Sequence, residues 1–191
     1  IGRRYVLHEQ LGAGGMGAVY RATDRLTGTA VALKRVTLPT DHLAFGSRSG
    51  DTDLSLALAR EFKTLAALRH PHIISVLDYG FDEQRCPFFT MTLLENAQTI
   101  VEAGQGRDLE TKIDLLVQAL QALAYLYRQG VLHRDLKPGN VLVVDGQVKV
   151  LDFGLSVITS RTMEYRTETM VGTLAYMAPE LFQDASVTRA S

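Results

Sequence analysis

The most informative stretch of the chain reads Val131-Leu132-His133-Arg134-Asp135-Leu136-Lys137-Pro138-Gly139-Asn140, and Asp152-Phe153-Gly154 follows twelve residues after its end. Two short apolar runs connect these motifs, one at residues 141–144 and the other at residues 147–151. Between the runs lies Asp145-Gly146, a pair that is typical of the type I′ turn of a β-hairpin. The sequence therefore predicts a small hairpin that carries one polar motif at each end.

The composition of the whole chain is that of an ordinary globular protein. It has 191 residues, of which 46% are hydrophobic and 21% charged, so wholesale disorder and a collagen-like repeat are excluded. This length suits one domain, or one domain split into two lobes. A net charge of −1 argues against a general nucleic-acid or membrane-surface binder. No apolar run approaches the roughly 20 residues of a bilayer span.

Cysteine usage bears on the compartment. Cys86 is the single cysteine of the chain, so no internal disulfide is possible. No group of Cys and His residues has the spacing of a metal site. We therefore expect a reducing, cytoplasmic location.

The first third of the chain has the pattern of an antiparallel sheet. Short β-rich runs occupy residues 5–11, 18–22 and 29–36. Gly28, just before the third run, favours a hairpin turn because glycine readily takes a positive φ.

The next segment alternates between loop, helix and strand patterns. Residues 39–52 are rich in turn formers and predict a loop, which a helix over residues 53–69 follows. Further strands are predicted over residues 73–79 and 88–94. A boundary between two lobes is expected near residues 94–97.

A long helix is predicted after this boundary. Asp108 is a good N-cap, and Gly130 is a good stop signal at the C-terminal end. Apolar residues recur between them at helical spacing. They are Leu109, Ile113, Leu116, Val117, Leu120, Leu123, Ala124 and Tyr127.

A glycine-rich segment near the N-terminus reads Gly12-Ala13-Gly14-Gly15-Met16-Gly17-Ala18-Val19 and fits G-x-G-x-x-G-x-V. Glycines let a backbone approach a phosphate and present its N–H groups. A plain glycine-rich turn and a dinucleotide-binding βαβ unit are alternative interpretations. Because residues 19–22 look like a strand and a hairpin partner follows, a β-hairpin flap is favoured over the start of a helix.

Lys34 and Glu61 are candidates for charged roles. Lys34 shares a strand face with Ala32, and the alternative is a solvated strand lysine. Its position seventeen residues after Gly17 favours a side chain that reaches phosphates under the flap. Glu61 falls near the edge of the apolar face of the predicted helix, so an ion pair with Lys34 competes with a plain surface position.

Ala178-Pro179-Glu180 completes five motifs in a consistent order. With this set, the chain resembles the catalytic domain of eukaryotic-type (Hanks-type) serine/threonine protein kinases, in a style similar to bacterial members. The resemblance implies an α+β, bilobal fold. Residues 1–95 would form an antiparallel β N-lobe with one helix, and residues 96–191 an incomplete, mainly helical C-lobe.

The resemblance also implies catalytic roles. Asp135 would accept the proton of the substrate hydroxyl, and Lys137 would neutralise charge on the transferring phosphoryl group. Lys34 would contact the α- and β-phosphates, and Glu61 would orient Lys34. The activity implied is transfer of the γ-phosphoryl group of ATP to serine and threonine hydroxyls.

ATP and Mg²⁺ are the cofactors that the resemblance implies. Asn140 and Asp152 would hold the metal through oxygen ligands, as a hard cation prefers. The nucleotide would contact residues of the flap, of the neighbouring strands and of the connecting strand. These are Leu11, Gly12, Gly14, Gly17, Val19, Ala32, Lys34, Met91, Thr92, Leu94 and Leu142.

Proteins with serine or threonine acceptors are the partners implied. Lys137 and the segment Gly172–Glu180 resemble the serine/threonine type of the family rather than the tyrosine type. Thr167 and Thr169 are candidate phosphosites, consistent with self-phosphorylation and with pairing to Arg134. No nucleic-acid partner and no membrane segment are expected in this chain.

The C-terminus departs from the family pattern, because the chain stops eleven residues after Glu180. The resemblance then covers about the first two-thirds of a kinase domain, and exposed apolar surface is expected on the helical lobe. A non-catalytic ATP-binding or scaffold module is an alternative function. A small-molecule kinase of similar fold is another, which Lys137 and the complete Ala-Pro-Glu motif disfavour.

Overall fold

The computed structural model describes residues 1–14, 17–36, 62–84, 86–133, 135–153 and 176. These residues belong to two compact units. The first unit takes its residues from Ile1–Leu68 and Ser75–Leu94, and the second takes them from Arg69–Ile74 and from Glu95 onward. The predicted loop over residues 39–52 lies outside the described residues.

The first unit contains an antiparallel five-stranded sheet. Its strands are β1 (Tyr5–Gly14), β2 (Gly17–Asp24), β3 (Ala30–Val36), β4 (Val76–Phe81) and β5 (Pro87–Thr92). Their spatial order is β1-β2-β3-β5-β4. The predicted antiparallel sheet is confirmed, and Gly28 has a φ of +72° in the turn between β2 and β3.

Both faces of β3 are buried, which makes it the centre of this unit. On one face, Val31 and Leu33 pack in a cluster with Tyr5, Ala22 and Phe88. Ala32 and Lys34 point to the opposite face, because successive strand residues alternate. The central strand therefore presents a buried lysine on the side away from this apolar cluster.

Residues 62–67 are helical, and the side chain of Phe62 packs on the sheet. The Phe62 ring stacks on Tyr79 at 5.2 Å between centroids and lies 5.7 Å from the ring of Phe89. The helix predicted over residues 53–69 thus ends earlier than expected. Its N-terminal part lies outside the described residues.

The strand predicted over residues 73–79 is correct only in part, because β4 starts at Val76. Ile73 instead makes an isolated parallel bridge with Val150 in the second unit. Ile74 N–H donates to the Val150 carbonyl at 3.0 Å, and Val150 N–H donates to the His72 carbonyl at 2.9 Å. Residues 73 and 74 therefore do not belong to β4, and their backbone bonds go to a partner that is distant in sequence.

The second unit holds a small antiparallel sheet and two helices. The strands are β6 (Gln98–Thr99), β7 (Val141–Val144) and β8 (Gln147–Val150), in the order β6-β7-β8. Helix α1 spans Ile100–Gly104, and helix α2 spans Leu109–Arg128.

The predicted β7–β8 hairpin is confirmed. Asp145 and Gly146 have φ values of +49° and +75°. These are the left-handed conformations that a type I′ turn requires at both central positions.

Helix α2 confirms the predicted long helix and its caps. The Asp108 carboxylate accepts from Thr111 N–H at 2.7 Å, and Gly130 has a φ of +74°. The side chains that α2 buries are Leu115, Gln118, Ala122 and Leu126.

Most of the predicted apolar stripe of α2 is exposed, with Leu109 at 72% and Leu120 at 62%. The buried face is the neighbouring one, because that face packs on β8. Exposed apolar surface on the helical part is therefore present, as expected. None of the helices in the described part of the chain combines the length and hydropathy that a membrane span requires.

Candidate active site

The glycine-rich segment forms a β-hairpin between β1 and β2. Gly12 pairs with Val19, and Gly14 pairs with Gly17. Residues 15 and 16 lie outside the described residues. The segment does not start a helix, so the dinucleotide-binding βαβ interpretation is wrong. A Cβ added at Gly12 or Gly14 would meet nothing within 4 Å. The backbone there is accessible to a ligand.

Lys34 lies on β3 and is only 5% exposed. It is paired with Val19 of β2 and with Phe89 of β5. Ala32, two residues earlier, is paired with Met91. Directly opposed residues share a sheet face, so Lys34 lies on the same face as Val19, Ala32 and Met91.

This face combines apolar side chains with one buried ammonium group. A buried ammonium is costly unless negative charge neutralises it. The arrangement therefore places one positive charge next to apolar groups.

The remaining residues predicted to contact a nucleotide are spread over both units. Leu11 is exposed near the end of β1, Leu94 follows β5, and Leu142 is half-buried on β7 of the second unit. Thr92 N–H already donates to the Ser75 carbonyl at 3.1 Å. Because this amide already has an acceptor, it is not available to donate to a nucleotide. The sequence alone did not reveal this hydrogen bond.

A cluster of three side chains occupies the segment before β7. The Oδ2 atom of Asp135 lies 2.8 Å from the Lys137 ammonium and accepts from Asn140 Nδ2 at 3.0 Å. Asn140 Nδ2 also donates to the Asp135 backbone carbonyl at 2.7 Å. Because both partners of Nδ2 are acceptors, the orientation of the amide is fixed, and Oδ1 remains for a cation.

Local backbone structure positions this cluster. Pro138–Asn140 forms a single 3-10 turn, in which Asn140 N–H donates to the Lys137 carbonyl at 2.9 Å. Leu151 N–H donates to the Asn140 carbonyl at 2.9 Å, so the β7–β8 ladder extends by one bond. The two ends of the hairpin are thereby joined, and Asp152 follows directly after Leu151.

Asp152 has a left-handed backbone conformation, with a φ of +58°. That region costs a non-glycine residue about 1 kcal/mol relative to ordinary conformations. Such conformations concentrate at functional sites, where the surrounding structure maintains them. The predicted metal ligands Asn140 and Asp152 are therefore brought to the same end of the hairpin by ordered backbone.

These ligands fit a magnesium ion better than a cation held entirely by protein. Within the described residues, no three His, Cys, Asp or Glu side chains cluster as a metal site. One amide oxygen and one carboxylate leave most coordination positions to phosphate and water oxygens. Mg²⁺ is commonly bound in that way.

His133 contacts the backbone of this cluster at Asp135. Its Nδ1 accepts from Asp135 N–H at 3.4 Å, which requires an unprotonated Nδ1. Burial lowers the pKa of His133, and this outweighs the opposing effects of the Leu151 backbone and of the Asp152 and Asp135 carboxylates. Burial thus favours the neutral imidazole, the form that can accept from Asp135 N–H.

Sequence reasoning missed two residues that bind β8, the strand leading to Asp152. Gln118 on α2 accepts from Val148 N–H at 2.8 Å, and His72 Nδ1 lies 3.3 Å from the Val148 carbonyl. For Gln118, the available signal was its position next to the apolar stripe of α2. No local signal marks the second, which is 76 residues from its partner.

Several predicted site residues lie outside the described residues. They are Glu61, Arg134, Thr167, Thr169 and the Ala178-Pro179-Glu180 motif.

Comparison with known proteins gives one family and several bacterial relatives. The family model described as the protein kinase domain matches residues 5–191. The DNA damage-responsive serine/threonine-protein kinase RqkA of Deinococcus radiodurans is 41% identical over 93% of this chain and 26% of its own length. A probable serine/threonine-protein kinase of Streptomyces coelicolor is 36% identical over 94% of this chain and 27% of its own length. Serine/threonine-protein kinase PknA of Mycobacterium tuberculosis is 35% identical over 96% of this chain and 43% of its own length. The chain thus spans less than half the length of each relative.

Proposed function

Since this chain belongs to the protein kinase domain family, we propose that it transfers the γ-phosphoryl group of ATP to serine and threonine hydroxyls of proteins. The observation that carries the proposal is the hydrogen-bonded cluster of Asp135, Lys137 and Asn140 beside Asp152. The names of its bacterial relatives support the serine/threonine class.

Asp135 is proposed as the base. Its Oδ2 is occupied by Lys137 and Asn140, so Oδ1 is the atom that would accept the hydroxyl proton. As that proton leaves, the substrate oxygen forms a bond to the γ-phosphorus and the bond from the γ-phosphorus to the bridging oxygen of ADP breaks. The role of the protein is mainly to position and neutralise, since charge develops on oxygens.

Lys137 is proposed to neutralise charge on the transferring group. Its ammonium lies 2.8 Å from Asp135, so one lysine would serve both the carboxylate and the phosphoryl oxygens. Bound Mg²⁺ would add positive charge on the phosphates, held by Oδ1 of Asn140 and by the Asp152 carboxylate.

In the first unit, the phosphate contacts are assigned to Lys34 and to the glycine-rich hairpin. Lys34 lies buried on the sheet face that also carries Val19, and its contact with the α- and β-phosphates rests on the family resemblance. Ala32 and Met91 give the same face an apolar surface suited to the adenine ring of ATP. Orientation of Lys34 by Glu61 is part of the proposal and rests on the family resemblance.

Self-phosphorylation at Thr167 and Thr169 is included in the proposal, as is a cytoplasmic location. The first rests on their position between Asp152 and Glu180. The second rests on the single cysteine of the chain.

The proposal is tested by measuring transfer from γ-labelled ATP to a generic basic protein and to the chain itself. The reaction is run with Mg²⁺ and with a chelator, and the labelled amino acids are identified after hydrolysis. We expect metal-dependent label on serine or threonine. Label on tyrosine alone, or on a small molecule but on no protein, would contradict the proposed substrate class.

Nucleotide binding, measured by calorimetry in the same samples, separates the alternatives. Mg²⁺-dependent ATP binding without transfer would favour the non-catalytic ATP-binding or scaffold function. Absence of both would refute the proposal for this chain.

A further inference from the structure

We propose that Gln118 is a positioning residue for the metal-binding end of the β7–β8 hairpin, an inference that rests on the proposed function. Gln118 lies on α2, is buried, and bonds the backbone of the hairpin at two places. Its hydrogen bonds go to Asp114, Gly146 and Val148, none of which is a predicted metal ligand. Its influence on Asp152 would pass through β8.

The outer edge of β8 explains why a side chain is needed there. In the three-stranded sheet β8 is an edge strand, so alternate backbone groups point away from β7. Val150 satisfies its outward N–H and carbonyl groups with the backbone of His72 and Ile74. The contact with the backbone of residues 72–74 ends at Val150. The outward N–H and carbonyl groups of Val148, two residues earlier, therefore need other partners.

Side chains provide those partners. Gln118 Oε1 accepts from Val148 N–H at 2.8 Å, in a fully buried contact. His72 Nδ1 lies 3.3 Å from the Val148 carbonyl and is therefore the donor to it. Gln118 thus replaces a missing strand at one position, and its loss would leave a buried N–H unpaired.

The amide nitrogen of Gln118 fixes the turn of the same hairpin. Nε2 donates to the Gly146 carbonyl at 3.1 Å and to the Asp114 carboxylate at 2.8 Å. Asp114 lies one helical turn before Gln118 and so holds the amide in one orientation. One side chain therefore fixes both the turn and the first outward position of β8.

The hairpin transmits this constraint to the ligands. A two-stranded hairpin of four residues per strand is marginal without support. At its open end Asn140 directly precedes β7, and Leu151 N–H donates to the Asn140 carbonyl just before Asp152. A shift of β8 would therefore change the spacing between the two ligand side chains.

The experiment compares Gln118→Met with Gln121→Met, a matched change at an exposed glutamine of the same helix. The first readout is the Mg²⁺ concentration that half-saturates ATP binding. The second is amide hydrogen exchange over residues 147–152, which needs neither metal nor activity. We expect Gln118→Met to raise the Mg²⁺ requirement about tenfold, the low end for groups that support metal ligands from outside. We also expect faster exchange at Val148 and Leu151, and no change in either readout for Gln121→Met.

A rescue pair protects the test against simple loss of folding. Gln118→Glu keeps an acceptor for Val148 N–H but places two carboxylates together, because Asp114 lies 2.8 Å from the amide. Adding Asp114→Asn removes that repulsion and restores a donor–acceptor pair. The double variant should need less Mg²⁺ than Gln118→Glu alone.

The outcomes are distinct. A lowered melting temperature with an unchanged Mg²⁺ requirement in Gln118→Met would make the glutamine merely structural and overturn the inference. A double variant no better than Gln118→Glu would overturn it as well, and this comparison still applies if Gln118→Met does not fold. A wild-type chain whose ATP binding ignores Mg²⁺ would instead overturn the proposed function, and the inference with it.

Discussion

Asn140 has two separable proposed roles, and substitution to alanine or to aspartate distinguishes them. Its Oδ1 is a proposed metal ligand, whereas its Nδ2 donates to Asp135 twice, at 2.7 Å and 3.0 Å. Asn140→Ala removes both roles. Asn140→Asp retains an oxygen ligand, and a better one for a hard cation, but removes the two donors.

The magnitude follows from the two lost bonds. One goes to a neutral carbonyl and the other to a carboxylate, which together contribute about 2–4 kcal/mol in folded proteins. At 1.4 kcal/mol for each tenfold change, this predicts a loss of about 30- to 700-fold in the transfer rate if the bonds hold Asp135 in place. In Asn140→Asp, the new carboxylate also faces the Asp135 carboxylate at hydrogen-bonding distance, which adds repulsion.

The assay is single-turnover transfer at saturating ATP, with Mg²⁺ titrated for each variant. Asn140→Ala is expected to lose both rate and Mg²⁺ affinity. Asn140→Asp should bind Mg²⁺ yet stay slow at saturating metal. Asn96→Asp adds the same charge at an exposed asparagine of the second unit and should leave the rate unchanged. A wild-type rate for Asn140→Asp at saturating Mg²⁺ would refute the positioning role of Nδ2.

Three further predictions concern stability. Leu126 is 1% exposed and Leu120 is 62% exposed on the same helix. Denaturant unfolding should therefore show a loss of about 2–5 kcal/mol for Leu126→Ala and little change for Leu120→Ala, and equal losses would contradict the observed face of α2. Gly130→Ala should lower the free energy of unfolding by about 1 kcal/mol because Gly130 has a φ of +74°, whereas Gly139→Ala should not destabilise. A lower melting temperature for Gly139→Ala than for Gly130→Ala would contradict the role of the left-handed Gly130 in ending α2. Because burial lowers the pKa of His133, the unfolded chain binds a proton more readily below about pH 6.5. As the pH is lowered below that point, this group should decrease the free energy of unfolding by at most about 1.4 kcal/mol per pH unit. If His133→Gln left the slope of the free energy of unfolding against pH unchanged, a contribution from His133 would be excluded.

Asp135, Lys137 and Asn140 were predicted from the sequence as candidate site residues, and their contacts with one another are local. Asp135 bonds Lys137 two residues away and Asn140 five residues away, so a contiguous motif contains most of the geometry. The hairpin after it was also predictable, since Asp145-Gly146 encodes its turn within two residues.

Long-range contacts limited the remaining predictions. Residues 73–74 have the apolar, β-branched pattern of a strand, yet nothing local specifies that their partner is Val150. The apolar stripe of α2 gave the helix correctly but not the face that it buries. That face depends on the position of β8, which contains the Val148 partner of Gln118.

The most direct test of the central claim is single-turnover transfer by Asp135→Asn beside Asp145→Asn. Asp145 lies in the exposed turn of the hairpin with a φ of +49°, a conformation that asparagine also accepts. Both substitutions remove one negative charge from the second unit. We expect Asp135→Asn to lose metal-dependent transfer to serine and threonine, whereas Asp145→Asn should retain it. Equal rates for the two variants would contradict the assignment of Asp135 as the base.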